Sequence, residues 1–366
     1  MPGLLWAIGF AWIALLLWKF WMIVSFFRRS LPPVNAGKLE LPLVSILQPI
    51  LSGDPTLPAT LAQNLNMATA YPVEYLWLLD EDDATVKLLA GHRAATGQVL
   101  CVLDDDTILP DFGMEQCPPF LDAPGIGLAF GLPYQVNFAT FWSAMIACFV
   151  NSSSLLTYVP YSMLHEPVTI NGMFYAVKRA LWETIGGWEG LETVLADDFA
   201  VAQKVRSHTY LLAQTPLRHA ISTQVRDAGH YTSLIQRWFI FPRESIMRHL
   251  PWREQFLVYG LAMAPIFAPL LLFIGAVVWP ANGIGLLLGA ALLLHYAVFA
   301  WCNQVYLSNA TPWAWSWLVP LIQLIFPLQL LAALIAPQRI VWRGHLIEVQ
   351  RGGGFRFVTR RPPNAQ

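Results

Sequence analysis

Four long apolar stretches, one at the start of this sequence and three near its end, decide most of what the chain can fold into. From Leu4 to Phe27 almost every side chain is apolar, and a helix of about 20 residues spans the roughly 30 Å hydrocarbon core of a bilayer. The stretch ends Phe26-Phe27-Arg28-Arg29, whereas the apolar region of a cleaved signal peptide is about 7–15 residues long and ends in small residues. A transmembrane anchor over residues 1–29 is the expectation. Three further candidates run from about Gln255 to Trp279, Gly283 to Leu307 and Trp313 to Ala336, separated by Pro280-Ala281-Asn282 and by Ser308-Asn309-Ala310-Thr311-Pro312. With 56% hydrophobic and 12% charged residues in 366 and a mean hydropathy of +0.48, the composition is that of an integral membrane protein.

Charge sets the sidedness and removes some partners. The formal net charge of -1 excludes a broad nucleic-acid-binding surface, which needs clustered positive charge to displace counterions. Cys101, Cys117, Cys148 and Cys302 are far apart with no CxxC spacing, so neither a zinc site nor a disulfide framework is expected. Arg28, Arg29 and Lys38 lead into the polar part of the chain, which places that part in the cytoplasm by the positive-inside rule. Arg339, Arg343, Arg351, Arg356, Arg360 and Arg361 assign the tail, residues 338–366, to the same side. Three full crossings after a cytoplasmic domain would end on the other side. The region 253–337 is therefore read as two to three spans with one segment re-entrant or interfacial. The proline-interrupted segments (Pro265 and Pro269; Pro320 and Pro327) are the candidates, since broken helix is tolerated only where protein buries it. A secondary transporter is disfavoured because the apolar segments hold few polar groups: Lys19, His295, Asn303, Gln304, Gln323 and Gln329.

Between the membrane blocks the sequence reads as one α/β unit over residues 39–230, followed by an interfacial helix over 231–252. Leu43–Leu47 is a short apolar run closed by prolines, as in a buried parallel strand. Ser52-Gly53-Asp54-Pro55 then opens a helix through Leu57, Leu61 and Leu65. Tyr75–Leu79 is a second strand, ending in Asp80-Glu81-Asp82-Asp83, and Val99–Leu103 a third, ending in Asp104-Asp105-Asp106. Ligands of open α/β sheets sit beyond the carboxyl ends of strands, where both acidic clusters fall. Asp104 and Asp106, two residues apart, can share one hard cation and leave positions open for diphosphate oxygens. That is a leaving-group site. Gly131-Leu132-Pro133-Tyr134 ends another strand, and Ile170–Val177 runs into a helix over Lys178–Ile185 that Gly186-Gly187-Trp188 stops. The next helix opens at Asp197-Asp198, a position where carboxylates also serve as caps and dipole partners. Tyr231–Leu250 mixes Leu, Ile, Phe and Trp with Arg237, Arg243, Arg248 and His249, the composition of a helix lying at a membrane surface.

In this order the motifs resemble the inverting, GT-A-fold glycosyltransferase family that includes ceramide glucosyltransferase. The match runs through Val44-Ser45-Ile46-Leu47-Gln48-Pro49, Asp54-Pro55, Asn64-Leu65, Tyr71-Pro72, the two acidic clusters, Gly131-Leu132-Pro133-Tyr134, Asn171-Gly172-Met173, Leu195-Ala196-Asp197-Asp198, Arg237-Trp238 and Trp342-Arg343-Gly344. It covers nearly the whole chain. The resemblance implies a GT-A domain with N-terminal and C-terminal transmembrane helices, Asp80 against the nucleotide, and Asp104 and Asp106 as a DxD pair binding Mg2+ or Mn2+. It also implies Asp198 as catalytic base, with Asp197 beside it where relatives carry Glu. Arg237 and Trp238 match the end of a (Q/R)xxRW motif, the arginine meeting phosphate charge and the indole packing beside sugar or acceptor. Three departures stand out. Position 234 is Leu, with Gln236 as the nearby amide on the acceptor side. Only 104 − 80 = 24 residues separate Asp80 from Asp104, which leaves Lys87 as the donor-side lysine on a shortened connection. Asn151-Ser152-Ser153-Ser154 stands where ceramide-using relatives carry histidine.

The expected activity is inverting transfer of a hexose from a UDP-sugar to a membrane lipid hydroxyl, with ceramide, diacylglycerol or a hopanoid-type lipid as acceptor, at a bacterial-type inner membrane. The partners are the UDP-sugar, the lipid and the bilayer, with no nucleic acid. A processive polysaccharide synthase of the same fold is one alternative, although three or four short membrane segments are few for a translocation pore. A catalytically silent membrane scaffold is another. It is opposed by the retention of every expected carboxylate, since buried charge costs free energy.

Overall fold

The computed structural model describes residues 2–29, 40–50, 54–79, 84–191, 194, 197–342, 345–350 and 354–359. After helix α1 (Pro2–Arg29) the chain alternates β1 (Val44–Pro49), α2 (Leu57–Leu65), β2 (Val73–Leu78), α3 (Ala84–Ala94) and β3 (Val99–Leu103). These three strands are parallel, with Val44 in register with Val73 on one side and Val99 on the other. Both faces of β1 and β3 are buried, which is why they read as unbroken apolar runs. The chain continues with β4 (Thr107–Ile108), β5 (Ile126–Gln135), α4 (Phe141–Leu164), β6 (Phe174–Lys178), α5 (Arg179–Thr184), α6 (Asp197–Ser207) and β7 (Leu211–Ile221). The seven strands form one mixed sheet in the order β2-β1-β3-β6-β5-β7-β4. β6 runs antiparallel to both β3 and β5, so its start, Phe174, lies beside the end of β3. This is the α/β architecture of a GT-A domain. Gly186 and Gly187, with φ of 85° and 53°, end α5 in the left-handed region that favours glycine.

The remaining elements are α7 (Ala228–Phe241), α8 (Met247–His249), α9 (Trp252–Val258), α10 (Ala264–Val278), α11 (Ile284–Tyr306), α12 (Leu318–Ile335) and the strands β8 (Arg339–Trp342), β9 (His345–Val349) and β10 (Phe355–Thr359). A π turn over Tyr259–Met263 joins α9 and α10 into one helix, Trp252–Val278. Among the described residues, five helices are long and apolar enough to cross a membrane: α1, α4, Trp252–Val278, α11 and α12.

α4 is the one the sequence reading placed inside the α/β unit, and its ends show why it belongs there. At its start Thr140 accepts from the Ser143 N–H at 3.0 Å and donates to the Val225 carbonyl at 2.5 Å, just beyond the end of β7. Past its other end Glu166 accepts from the Leu212 N–H at 3.1 Å, at the start of β7. Twenty-four helical residues measure roughly 36 Å at 1.5 Å per residue. The eleven residues of β7 measure about the same at ~3.3 Å each. α4 therefore runs along the sheet, packed on β5, where Asn151 bonds the main chain of Gln135 and Leu155 and Val159 meet Leu132, with each end tied to the same sheet.

α1, α10 and α11 pack as a bundle with a legible direction. At one end the Trp6 indole donates to the Asn282 carbonyl at 3.1 Å. Two glycines let the helices approach there: a methyl at Gly9 would lie 2.3 Å from Leu287 Cδ2, and one at Gly275 2.3 Å from Leu5 Cδ1. Toward the other end Lys19 donates to the Leu261 carbonyl in the π turn at 2.5 Å, Phe20 meets Trp301 at 5.0 Å, and Phe27 stacks on Tyr306 at 4.1 Å between ring centroids. Arg218 of β7 donates to the Tyr306 carbonyl at 2.7 Å. That end of the bundle is thus fixed to the sheet.

The segment expected as a surface helix over 231–252 is broken by a π turn at Pro242–Ile246, next to a proline that supplies no N–H. In this turn Glu244, 1% exposed, receives Arg243 at 2.9 Å and Arg248 at 2.8 Å. The tail is more than a basic extension: β10-β9-β8 form an antiparallel sheet, with Ile340, Ile347 and Val349 packed on Ile240 of α7. Gln338 donates to Glu244 at 2.9 Å, and a bridge between Gly354 and Val194 ties the sheet to the loop that leads into α6.

Candidate active site

The acidic edge lies at the carboxyl ends of the parallel strands. Where β3 ends, the Asp104 N–H donates to the Met173 carbonyl at 3.0 Å, and the Asp104 carbonyl accepts from Thr107 N–H at 3.2 Å, closing a turn. The same carbonyl accepts from Gln48 Nε2 at 3.3 Å, and Gln48 Oε1 in turn accepts from the Trp77 indole at 3.1 Å. The ends of β2, β1 and β3 are thereby linked through side chains. The Asp106 carboxylate accepts from the Thr223 hydroxyl and, at 3.3 Å, from Thr107 Oγ1. Its main-chain carbonyl accepts from the N–H and hydroxyl of Ser222 at 2.9 and 3.0 Å. Asp54 completes the group, accepting from Thr56 N–H at 2.8 Å and Gln224 N–H at 3.0 Å. Burial raises the pKa of Asp106; the Thr223 hydrogen bond opposes this, while the charges of Asp105 and Asp54 add to it.

The charges of Asp105 and Asp54 act on Asp106, and their oxygens are the hard donors that a divalent cation takes. No cluster of three or more His, Cys, Asp or Glu suited to a metal occurs among the described residues. A cation held by Asp104 and Asp106 would therefore complete its shell with substrate or water oxygens.

Asp198 opens α6 on the other side of the turn Asn171-Gly172-Met173. Met173 holds Asp104 as described, and a methyl at Gly172 would sit 3.3 Å from Asp198 Cβ. One short turn thus sets the spacing between the end of β3 and the Asp198 carboxylate. Asn171 anchors it, donating to the Gly131 carbonyl at 2.6 Å. Asp198 Oδ1 accepts from the Phe199 N–H at 2.7 Å, and Asp197 accepts from the Asp198 N–H at 2.9 Å. Burial, and then the charge of Asp197, push the Asp198 pKa up to about 7. A carboxyl in that range can take a proton near neutral pH, which a carboxylate of ordinary pKa does poorly. Behind both carboxylates lies Tyr175, whose hydroxyl accepts from the Trp188 indole at 2.9 Å. Burial holds the Tyr175 pKa well above its usual value, and Asp197, Asp104 and Asp198 all raise it further.

Gly172→Ala tests this spacing. The added methyl is expected to displace the Asp198 carboxylate, lowering turnover by up to ~10²-fold, as for ångström-scale misplacement of a reacting group. Nucleotide affinity, measured by calorimetry, is expected to stay near wild type. Equal losses in both would place Gly172 in the donor pocket instead.

The other sequence-expected residues divide. Lys87 is buried on α3 and donates to the Ile50 carbonyl at 2.5 Å, just past the end of β1. Arg237 of α7 and Asp54 both act on His230, whose pKa burial lowers; Arg226 and Arg237 lower it further, while Asp227 and Asp54 oppose. This brings α7 to the acidic edge. Trp238 stacks on Phe149 of α4, with centroids 6.1 Å apart, in an apolar cluster that also takes in Leu234. Gln236 donates to the carbonyls of Pro337 at 3.0 Å and Arg339 at 3.4 Å, so its amide meets the C-terminal sheet. Asp80 and its neighbours Glu81-Asp82-Asp83 lie outside the described residues, as do Lys38, Leu195-Ala196, Arg343-Gly344, Arg351, Arg360 and Arg361. Sequence reasoning missed Gln48, Asp54, Ser222, Thr223 and Tyr175 as parts of the site. Ser222-Thr223 carried a usable signal, because they directly follow the long strand β7 and so fall at the ligand edge.

A mixed sheet with a paired acidic edge and an elevated-pKa carboxyl beside it, joined to a bundle of membrane-length helices, is the build of a membrane glycosyltransferase. The family described as Glycosyl transferase family 21 matches residues 83–355. The chain belongs to that family. Comparison with curated proteins gave no match. Among solved structures, the mannosyltransferase PcManGT from Pyrobaculum calidifontis, in complex with GDP-Man and Mn2+, is 16% identical with a TM-score of 0.46, covering 91% of this chain and 97% of its own. GalNAc-T7 with UDP, GalNAc and Mn2+ is 13% identical with a TM-score of 0.40, covering 61% of this chain and 55% of its own.

Proposed function

We propose that this glycosyltransferase moves a hexose from a UDP-sugar to the hydroxyl of a membrane lipid, with inversion, at the cytoplasmic face of the membrane. The observation that carries the reading is the placement of Asp198, with its pKa near 7, one turn from Asp104 on a sheet whose neighbouring helices α4 and α7 pack directly on α12. A hydroxyl carried by a lipid can reach a carboxyl so placed without leaving the membrane surface.

In this mechanism Asp198 accepts the proton of the acceptor hydroxyl as its oxygen attacks the anomeric carbon. The bond from that carbon to the diphosphate breaks on the opposite face, which gives inversion in a single displacement. Asp104 and Asp106 would hold a Mg2+ or Mn2+, which would supply positive charge against the diphosphate. Arg237 and Lys87 supply positive charge to the same leaving group, and Asp80 lies against the nucleotide. Asp197 keeps Asp198 basic through its own charge. Trp238 and Gln236 line the acceptor side through α7. Ceramide, diacylglycerol and hopanoid-type lipids are the acceptor classes.

Full-length protein in lipid, given UDP-hexoses and this acceptor panel with and without EDTA, is expected to form one metal-dependent glycolipid carrying a single sugar. A growing polymer would favour the processive synthase, and no transfer with intact folding would favour the silent scaffold.

A further inference from the structure

α12 starts beside the middle of α11, where the Tyr296 hydroxyl meets Ser316, and its other end lies on the sheet side of the helix bundle, where Arg243 meets the Leu334 carbonyl. Before α12 the chain leaves α11 at Tyr306, where Arg218 of the sheet holds the Tyr306 carbonyl, and then doubles back along α11. Thr311 N–H donates to Asn303 Oδ1 at 3.0 Å, and the Tyr296 hydroxyl donates to Ser316 Oγ at 3.2 Å. The same stretch follows α4: Asn151 donates to Thr311 Oγ1 at 3.0 Å, and the Cys148 thiol to the Trp315 carbonyl at 3.5 Å. α12 then climbs toward α7, where Gln329 donates to the Tyr231 hydroxyl at 2.8 Å and Arg243 to the Leu334 carbonyl at 2.8 Å. The middle of α12 reaches the core of the bundle, where Leu324 packs on the cluster of Leu272, Leu288 and Ala291, and no hydrogen bond among the described residues ties either of its ends to the Trp6–Asn282 end.

We infer that residues 307–335 form a re-entrant segment, the stretch before α12 entering the bilayer from the catalytic side and α12 returning to it, so that α1, Trp252–Val278 and α11 are the three crossings and the membrane leaflet nearest the sheet is the partner of the α12 surface. Parity supports this independently of the contacts around α12. The C-terminal sheet is hydrogen-bonded to the catalytic domain at Val194, Gln236 and Glu244, so an even number of crossings must separate residue 251 from residue 337. Trp252–Val278 runs from the sheet side to the Asn282 end, and α11 returns. A third crossing would place β8 to β10 across the membrane from the residues they touch. Pro327 lies inside α12, as tolerated where surrounding protein meets the freed backbone group, here α4, α7, α10 and α11. The surface left open is suited to one leaflet: Trp313 and Trp317 before α12 are 82% and 53% exposed, and Trp252 and Phe256 at the start of the preceding crossing are 72% and 73% exposed. Aromatic rings concentrate at the membrane–water interface.

This inference goes beyond the proposed activity and holds whichever lipid is the acceptor. It is tested on full-length protein in sealed vesicles of uniform orientation, with a membrane-impermeant maleimide and single added cysteines at exposed positions: Gln63→Cys on the catalytic domain, Asn282→Cys and Val358→Cys. The four native cysteines are buried, and the unsubstituted protein sets the background. Gln63→Cys and Val358→Cys are expected to label together from one side, at least tenfold above Asn282→Cys, with the ratio reversed in vesicles of opposite orientation. Labelling of Val358→Cys together with Asn282→Cys would make α12 a full crossing and overturn the inference. So would labelling of Gln63→Cys and Asn282→Cys from one side, or protection of Val358→Cys from both sides until detergent is added. None of these outcomes depends on transfer activity.

Discussion

Asp198→Asn is expected to retain fold and nucleotide affinity while lowering sugar transfer by roughly 10²–10⁴-fold, the usual contribution of a positioned general base. The amide keeps the acceptor atom that receives the Phe199 N–H but cannot take a proton. Wild-type transfer is expected to rise with pH through about 7, where Asp198 ionises, and to level off above it. The stability effect has the opposite sign. Because the folded-state pKa lies above the unfolded value of 3.8, Asp198 contributes stability while protonated, at acid pH, and that contribution is lost as pH rises through about 7. Asp198→Asn should therefore melt higher than wild type at pH 8, with that advantage shrinking toward pH 5 and gone only below about 3.8. Transfer that stays at wild-type rate in the variant, or a wild-type rate flat between pH 5 and 8, would remove Asp198 from the proton transfer.

Why Asp198 was legible in the sequence, and its neighbours less so, follows from the range of the interactions involved. Strand-ending acidic clusters announce a ligand edge because a parallel sheet delivers every carboxyl end to one side, and β1, β2 and β3 do this within a residue or two of the expected limits. Asp198 was placed by its motif alone. Its elevated pKa needs burial and Asp197 together, which no local pattern reports. Thr223 and Asp54 belong to the site only because β7 returns beside β4 and brings residues 54, 106 and 223 together, a contact between segments more than 100 residues apart. α4 shows the converse. Its apolar sequence has membrane length, and only its contacts with β5 and the ties of its two ends show that it packs on the sheet. The C-terminal strands were hidden because an arginine-rich tail suggests solvent, whereas Ile340, Ile347 and Val349 find their burial on Ile240, in a helix about 100 residues earlier. Gln236, expected as the acceptor-side amide, is drawn into the same long-range contact. Its partners are main-chain carbonyls at Pro337 and Arg339, beyond three intervening membrane-length helices.

Asp104→Ala and Asp106→Ala are expected to remove the divalent-cation dependence of nucleotide binding. With one carboxylate gone, a cation at the edge keeps a single protein charge, and the diphosphate cannot supply the missing ligand as well. Loss of about 10²-fold in UDP affinity in the presence of Mn2+ corresponds to roughly 2.7 kcal/mol, while affinity in EDTA should change little. The two variants should differ in stability. Asp106 accepts from the Thr223 and Thr107 hydroxyls, so its removal leaves those donors to be rehydrated at about 1 kcal/mol each. It also relieves the repulsion from Asp105 and Asp54 that raises its pKa. These effects offset, and the melting temperature of Asp106→Ala should stay within a few degrees of wild type when no cation is present. Wild type should gain stability when Mn2+ and UDP are added together, and Asp106→Ala should not. Calorimetry with UDP, with and without Mn2+, reads the first effect, and thermal melts under the same conditions read the second. Nucleotide binding that keeps its wild-type response to Mn2+ in both variants would show that the cation is held elsewhere, and the triplet at the end of β3 would then be a turn closed by Thr107, Gln48 and Thr223 with no part in donor binding.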